Sequence, residues 1–267
     1  MRAWTLGSGS RGNAILVECG STRVLVDAGF PPRTLRRRMS AIGVAPESVS
    51  ALVVTHEHID HSRGVVAAHR KWHWPVYGSE GTLASIRGLA PEHRMTLRRG
   101  RPTAVGDMLI ELVPVSHDAR EPTAVLATHP SSGFRTGIAH DLGVSNAGLE
   151  QAFAHIDLLL VESNHDEGML RAGPYPRFLQ DRIAGGSGHL SNRQCAGLIS
   201  ALATPALRHL VLLHLSEANN VPRIAEQSAT RALRSRGGTC AVEASPQDRP
   251  AGPFGTPRPP RQLSLAL

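Results

Sequence analysis

Residues 51–61 read Ala-Leu-Val-Val-Thr-His-Glu-His-Ile-Asp-His, a short apolar run followed at once by four potential metal ligands. The run is typical of a buried strand, and the side chains of His56, His58, Asp60 and His61 are ligands that Zn²⁺ and similar ions accept. Along an extended segment His56 and His58 point to the same side, because side chains alternate between the two faces. The spacing differs from the helical H-E-x-x-H zinc motif. The stretch therefore predicts a loop at the end of a strand that can serve two adjacent metal ions.

The pattern His56-x-His58-x-Asp60-His61 resembles the H-x-H-x-D-H signature of the metallo-β-lactamase fold superfamily. The resemblance implies an α/β protein, a four-layer αββα sandwich with its metal site at one edge. Apolar runs that alternate with helical segments before the C-terminal region agree with a layered α/β fold. We therefore expect residues 1–243 to form a single hydrolase domain.

The same resemblance implies further ligands after later strands, and His117, Asp141 and His214 each follow an apolar run. His140 adjoins Asp141, but a bridge between two metals requires a carboxylate, which favours Asp141. The resemblance implies two divalent ions, with Zn²⁺ as the first choice and Mn²⁺ or iron as alternatives. It assigns the first metal to His56, His58 and His117, the second to Asp60, His61 and His214, and the bridge to Asp141.

Further residues are expected to support or complete this site. Asp27 matches an early aspartate of the family that anchors the ligand loop, as metal-bound imidazoles usually require; an ordinary turn at a strand end is the alternative. His189 lies just ahead of an N-cap signal for the next helix, and the matching histidine of related nucleases is held to protonate the leaving group. Glu162 is expected to orient His189 or to order the site. Asp60 is expected to accept a proton from the attacking water as well as to bind metal.

Two polar segments suit phosphate binding. One is a Gly/Ser loop near a strand end whose backbone N–H groups can cradle a phosphate, although most loops of this composition are simple turns. The other follows a strand in the second half of the chain. The candidate phosphate-binding residues are Ser8, Gly9, Ser10, Asn13, Asn164 and His165.

A third segment combines arginines with aromatic residues. Arg171, Arg177 and Arg182 alternate with Tyr175 and Phe178. Such a combination suits phosphate contact together with base stacking on a single strand. A basic surface loop without this role is the alternative.

The dinuclear ligand set favours hydrolysis, because two metals activate a water and stabilise the leaving oxygen. Four further segments resemble the YycJ-like (WalJ-like) branch, regarded as exonucleases that act on DNA: Gly7–Asn13, Glu162–Asp166, Gly188–Asn192 and His214–Asn220. The resemblance implies a nucleic-acid substrate, with DNA ahead of RNA. Three alternatives stay open: an RNA-processing nuclease of the RNase Z type, a hydrolase of small esters, thioesters or lactones, and a non-catalytic metal-dependent binding module.

Composition and charge are compatible with this interpretation but do not decide it. Hydrophobic residues make up 41% and charged residues 19% of the chain, which excludes wholesale disorder. The net charge of +7 is supplied almost entirely by arginine and suits a nucleic-acid partner, although genome composition explains the arginine bias equally well. Three cysteines without a C-x2-C pair exclude a disulfide framework and a four-cysteine zinc ribbon.

The two ends of the chain carry their own expectations. The first residues lack the apolar core of a signal peptide, and no apolar stretch of about 18 residues occurs, so we expect a cytoplasmic protein without a membrane span. Residues 244–267 contain six of the 19 prolines. Because proline neither continues helices nor donates to β-ladders, this region is expected to be a disordered Pro-rich tail.

Overall fold

The computed structural model of the protein describes residues 1–255, which form two mixed β-sheets with helices on their outer faces. The strands are Arg2–Gly7 (β1), Ala14–Cys19 (β2), Thr22–Val26 (β3), Ala51–Val54 (β4), Val76–Gly78 (β5), Arg94–Thr96 (β6), Thr103–Val105 (β7), Met108–Pro114 (β8), Thr123–Thr128 (β9), Arg135–Ala139 (β10), Leu158–Glu162 (β11), His209–Leu213 (β12), Ala241–Ala244 (β13) and Ala251–Phe254 (β14). The helices are Pro32–Ala41 (α1), Ile59–Ser62 (α2), Val65–Trp72 (α3), Glu80–Ser85 (α4), Ala147–Ala152 (α5), Glu167–Ala172 (α6), Arg177–Ala184 (α7), Asn192–Leu202 (α8) and Pro222–Ser235 (α9). None of these helices is both long enough and apolar enough to cross a bilayer.

Each sheet contains seven strands within the described residues. The first sheet has the order β14-β1-β2-β3-β4-β5-β6, and its strands from β3 to β6 are parallel. The second sheet has the order β13-β12-β11-β10-β9-β8-β7, and its strands from β10 to β13 are parallel. Parallel neighbours bring their carboxyl ends to one edge of a sheet, where the sites of open α/β sheets gather.

Alternation along the strands sorts the apolar side chains into three layers. Val24 and Val26 of β3 belong to the cluster between the two sheets, whereas Leu25 packs in the cluster of α1 and α3. In β11, Leu160 belongs to the cluster between the sheets, whereas Leu159 packs with α5, α8 and α9. One apolar layer between the sheets and one beneath each helical cover confirm the predicted αββα sandwich.

The expected tail is partly folded, which corrects the prediction of disorder from residue 244 onward. Residues 245–250 run along the Gly/Ser loop, and β14 pairs antiparallel with β1. An uncovered edge strand presents a row of unpaired N–H and C=O groups, and β14 covers that row on β1. Proline is tolerated in β14 because this strand itself lies at the sheet edge. The fold therefore extends to residue 255 instead of ending at 243, and the prediction for residues 256–267 lies outside the described residues.

Candidate metal centre

The seven predicted metal ligands converge at one edge of the sandwich, each just beyond a strand or in the loop and short helix that follow β4. They form two groups, and within each group one potential ligand atom per residue lies within 4.8 Å of the others. The first ligand group is His56, His58, His117 and Asp141, and the second ligand group is Asp60, His61, Asp141 and His214. Asp141 belongs to both groups, which is the arrangement that a bridging carboxylate requires.

Asp141 lies at the centre of the site. Its Oδ2 lies 2.7 Å from His61 Nε2 and 3.1 Å from His56 Nε2, and its Oδ1 lies 2.6 Å from His214 Nδ1. Burial opposes ionisation of Asp141, but the neighbouring His214 and His61 hold the pKa of its carboxyl well below the ordinary value. An ionised carboxylate is therefore shared by both sets of imidazoles.

The two groups fit divalent cations. Within residues 1–255, His56 Nε2, His214 Nε2 and Asp141 Oδ1 are buried and make no hydrogen bond of acceptable geometry, although neighbouring ligand atoms lie within contact distance. Unpaired buried polar atoms are costly, and one cation in each ligand group would satisfy all three. Burial, together with the neighbouring His61, lowers the pKa of His56 to about 3, so its imidazole is neutral, as metal ligation requires.

Three residues at the site adopt a left-handed backbone conformation. The φ angle is 61° at Asp27, 58° at Asp141 and 52° at His214. This conformation is uncommon for residues other than glycine and persists where the surrounding structure enforces it, often at functional sites. Each of the three follows the end of a strand closely, so the sharp turn lets its side chain leave the strand direction and meet the other ligands.

Asp27 supports the ligand loop at the position expected for an anchor. Its Oδ2 lies 2.7 Å from His61 Nδ1, and its carboxylate accepts hydrogen bonds from Thr55 N and Thr55 Oγ1, both at 2.8 Å. His140 Nε2 lies 3.3 Å from the same Oδ2, so His140 faces Asp27 while Asp141 faces the ligand groups. Burial opposes the charge of Asp27, but His61 and then His140 lower its pKa. These contacts orient the His61 ring as a carboxylate anchor orients a metal-bound imidazole.

The turn after Asp27 packs directly against helix α2. Ala28 N donates to His61 O and Asn13 N donates to Asp60 O, both at 2.8 Å. A Cβ added to Gly29 would lie 1.7 Å from the Asp60 carbonyl oxygen. Only glycine therefore allows this close approach, which places Asp60 and His61 beside the strand ends.

The Gly/Ser loop supports a ligand instead of facing a substrate. Ser8 Oγ accepts a hydrogen bond from His214 N at 2.9 Å and donates one to Asn13 Oδ1 at 3.0 Å, while Gly9 N donates to the same Asn13 oxygen. Ser8, Gly9 and Asn13 are buried. The hydroxyl of Ser8, the N–H of Gly9 and the amide oxygen of Asn13 are used inside the protein, so these groups are not free for the phosphate cradle that was expected. Of the four candidate residues in this loop, Ser10 is the exposed one, and it lines the pocket over the candidate metal ligands.

Asn164 and His165, the other two expected phosphate-binding residues, are also buried. Asn164 Nδ2 donates to His214 O at 2.8 Å and thus stabilises the turn that carries a ligand. His165 borders a separate cavity of about 350 Å³ together with Arg171 and Arg193. Neither residue lines the pocket over the candidate metal ligands, so the structure does not bring the expected phosphate contacts of Asn164 and His165 to that pocket.

Glu162 and His189 form a charged pair beside the second ligand group. Glu162 Oε1 lies 2.8 Å from His189 Nδ1 and 3.0 Å from His214 Nδ1, and Oε2 accepts hydrogen bonds from Leu142 N and Leu190 N. Burial opposes both charges, but their attraction lowers the pKa of Glu162 to about 2 and raises the pKa of His189 to about 9. The contact places Glu162 where it can orient His189, and His189 lines the pocket as a protonated imidazole.

The pocket over the metal ligands, called the central pocket here, has a volume of about 320 Å³. Its mouth contains Asp118, a residue that the sequence analysis missed. The Asp118 carbonyl oxygen lies 3.2 Å from His58 Nε2, and its carboxylate accepts a hydrogen bond from Arg182 Nε at 2.9 Å. The one available signal in the sequence was the position of Asp118 directly after His117.

Comparisons with known proteins agree with this geometry. Residues 22–215 match the model of the β-lactamase superfamily domain. The chain belongs to this superfamily. The chain is also 31% identical over 236 residues to the exodeoxyribonuclease YycJ of Bacillus anthracis, with 87% of this chain and 89% of YycJ covered. It is 30% identical over 234 residues to the exodeoxyribonuclease WalJ of Streptococcus pneumoniae, with 85% and 86% covered.

Solved structures show the same fold. The crystal structure of Zn²⁺-bound PqqB from Methylobacterium extorquens superposes with a TM-score of 0.71 at 17% identity and covers 94% of this chain and 100% of that one. At this identity the likeness supports the metallo-β-lactamase fold alone. Superfamily membership and the two ligand groups together identify the protein as a metal-dependent hydrolase.

Proposed function

We propose that this hydrolase is a dinuclear phosphodiesterase that acts on nucleic acid, and that it is a DNA exonuclease. The observation that carries the proposal is the pair of ligand groups joined at Asp141, in a chain that matches two exodeoxyribonucleases along most of its length. Paired metal sites are typical of enzymes that break phosphodiester bonds. The family resemblance alone would leave the choice of substrate open.

The first ligand group would hold one metal ion and the second ligand group the other, with Asp141 between them. Imidazole and carboxylate ligands suit Zn²⁺ best, and Mn²⁺ or iron are the alternatives. Divalent ions bound there would supply water activation and charge stabilisation in phosphodiester hydrolysis.

Two side chains of the protein are positioned for proton transfer. Burial opposes ionisation of Asp60, but the imidazoles of His214 and His61, at 3.5 and 3.4 Å from its Oδ2, lower its pKa below the ordinary value. Asp60 is therefore a carboxylate, which is the form that would accept a proton from the attacking water. His189 is protonated at neutral pH and partly exposed to the central pocket. It can therefore donate a proton to the leaving oxygen.

End-labelled DNA tests the proposed activity. Purified protein supplied with Zn²⁺ or Mn²⁺ should release mononucleotides from single- or double-stranded DNA, and His58→Ala should abolish this release together with hydrolysis of bis(p-nitrophenyl) phosphate. His129→Ala is the control, because the His129 ring hydrogen-bonds to Ser132 in a surface turn. The bonds with Phe134 and Gly133 use the His129 backbone, which the substitution keeps. Unchanged turnover in the His58→Ala variant would remove the mechanism.

The alternatives give different products in the same assays. An RNase Z-type enzyme would cut RNA internally and leave DNA intact. A small-ester, thioester or lactone hydrolase would turn over those substrates and neither nucleic acid. A binding module would retain metal and show no turnover of any substrate.

A further inference from the structure

Helix α7 and the residues just before it form one wall of the central pocket. Tyr175 precedes α7, while Leu179, Arg182 and Ile183 lie on it, and all four line the pocket. Residues three or four positions apart share a helix face, so one face of α7 borders the site. Phe178 lies on α7 outside this lining and is 75% exposed. The α7 wall is defined as Tyr175, Phe178, Leu179, Arg182 and Ile183.

Asp118 holds Arg182 in place at the mouth of the pocket. The Asp118 carboxylate accepts hydrogen bonds from Nε and one Nη of Arg182, and its Oδ1 lies 3.4 Å from His117 Nε2 and 3.8 Å from His58 Nε2. The Arg182 side chain is 67% exposed. A guanidinium has five N–H donors, so three remain beside the first ligand group in the described part of the chain. Such a fork suits the oxygens of a phosphate.

The charge around the α7 wall is partly neutralised within the protein. Residues 171–182 contain Arg171, Arg177 and Arg182 and one acidic residue, Asp181. Arg171 pairs with Asp181, and Arg182 pairs with Asp118. An arginine with remaining donors, beside the exposed Phe178 and the half-buried Tyr175, complements a partner that carries a phosphate backbone and flat bases. Folded nucleic acid with all bases paired offers the phosphates but hides the faces of the bases.

We propose that the α7 wall binds a single strand of DNA and leads it to the metal site, with Arg182 on a backbone phosphate and Tyr175 and Phe178 against bases. The proposal rests on the proposed function and specifies the form of its substrate. Stacking on an aromatic side chain requires a free base face, which a single strand provides. Stacking and phosphate contacts tolerate any sequence, so the wall selects for strandedness and not for base order.

Strand binding can be measured separately from catalysis. Fluorescence anisotropy of a labelled single-stranded oligonucleotide with the full chain in EDTA gives the affinity without cleavage. Phe178→Ala should weaken binding about tenfold, because base stacking on an aromatic side chain contributes about that much. Arg182→Gln should reduce the slope of log affinity against log salt by about 0.7, the value for one phosphate contact on a single strand. Arg182→Lys should restore that slope.

Arg208→Gln is the matched control. Arg208 is also an exposed arginine paired with an aspartate, Asp157, but it precedes β12, at the opposite end of that strand from His214. Removing its charge should leave the salt slope unchanged. A change as large as that of Arg182→Gln would show a diffuse charge effect and overturn the proposed contact.

Further outcomes are decisive in the same experiment. Equal weakening of single-stranded and duplex binding by Phe178→Ala would overturn the proposal, as would an unchanged salt slope in a folded Arg182→Gln variant. Tighter binding of RNA of the same sequence would overturn the assignment to DNA. If the protein cleaves DNA but neither substitution changes its affinity for the single strand, the proposed role of the α7 wall is overturned and the proposed nuclease activity is supported. If both substitutions weaken strand binding but the protein cleaves no DNA in the presence of metal, strand binding by the α7 wall is supported and the proposed nuclease activity is overturned.

Discussion

The two ligand groups share Asp141, and each contains one partly exposed residue, His58 in the first group and Asp60 in the second. They differ in what holds His58 and His61. The side chain of His58 in the first group is 32% exposed, whereas that of His61 in the second group is fully buried. In the first group, His58 Nε2 and His117 Nδ1 contact backbone carbonyl oxygens at 3.2 and 3.0 Å. In the second group, His61 Nδ1 faces the Asp27 carboxylate at 2.7 Å.

This difference means that His61 is held more firmly than His58. A buried imidazole held by a carboxylate is oriented in advance and is the more basic ligand. A partly exposed imidazole held by carbonyls at the pocket mouth moves more easily. We therefore expect the second ligand group to bind its metal more tightly, and the first to contact the substrate.

Removal of the shared carboxylate should have the largest effect and should abolish the difference between the groups. Asp141→Ala should lose both metal ions and reduce kcat/KM by about a thousandfold or more, since each metal contributes several kcal/mol to the reaction. Metal analysis by mass spectrometry and phosphodiesterase assays check both effects. Glu92→Ala, which removes an exposed carboxylate in residues 91–93, should change neither. Retention of one full equivalent of metal would show that Asp141 serves only one group.

Removal of one histidine from each group should expose the difference directly. His58→Ala and His61→Ala should each lose one metal ion. In EDTA, however, His61→Ala should also lower the free energy of unfolding by about 3 kcal/mol, because it leaves the buried Asp27 carboxylate without the nearer of its two imidazole partners. His58→Ala should cost about 1 kcal/mol or less, since its ring is partly exposed. Urea denaturation measures both values, and equal losses would contradict the distinction between the groups.

Substitution of Asn13, which contacts the second ligand group and not the first, should have a smaller effect on metal binding. Asn13 Nδ2 lies 3.0 Å from His61 Nε2 and 3.4 Å from Asp60 Oδ2. Asn13→Ala should weaken the tighter of the two metal affinities about tenfold and leave the weaker one unchanged, as measured by competition with a chelator. Ser10→Ala, an exposed change in the same loop, should leave both affinities intact. Weakening of the other affinity instead would reverse the proposed order of the two sites.

The clustering of the seven candidate ligands could be predicted from the sequence because each follows an apolar run or stands in the dense cluster after β4. A strand can be recognised from local apolar residues, and the ends of parallel strands meet at one edge. For the same reason the start of α8 could be predicted: Ser191 accepts from Gln194 N, and the Gln194 side chain completes a capping box. All of these signals lie within a few neighbouring residues.

The contacts that could not be predicted involve partners that are distant in the chain. Ser8 and Asn13 stand in a loop whose composition suits phosphate binding, but their partners His214 and His61 lie 206 and 48 positions away. No local pattern contains that relation. Likewise, the proline content near the C-terminus favours disorder, and only the exposed edge of β1 gives β14 a reason to form.

Residues 245–250 contact the Gly/Ser loop beside the second ligand group, and we expect a change there to have the smallest effect on stability and metal binding. Gln247 Oε1 accepts a hydrogen bond from Arg11 N at 2.6 Å, and the Gln247 carbonyl accepts one from Arg38 Nη1 at 3.1 Å. Arg38 also donates to Leu6 O. The segment therefore fixes both ends of the loop whose Ser8 supports the His214 backbone.

Gln247→Ala should lower the free energy of unfolding by about 1 kcal/mol, the usual contribution of one hydrogen bond, and should slightly weaken metal retention by the second group. Asp248→Ala is the control, because Asp248 meets Arg38 through its carbonyl oxygen while its side chain contacts only the exposed Arg249. Urea denaturation and chelator competition on both variants check the pair. If Gln247→Ala lowers stability but leaves metal retention intact, residues 245–250 cover the sheet edge without supporting the second ligand group. If Gln247→Ala lowers both, residues 245–250 contribute to the tighter metal binding that we expect of the second ligand group.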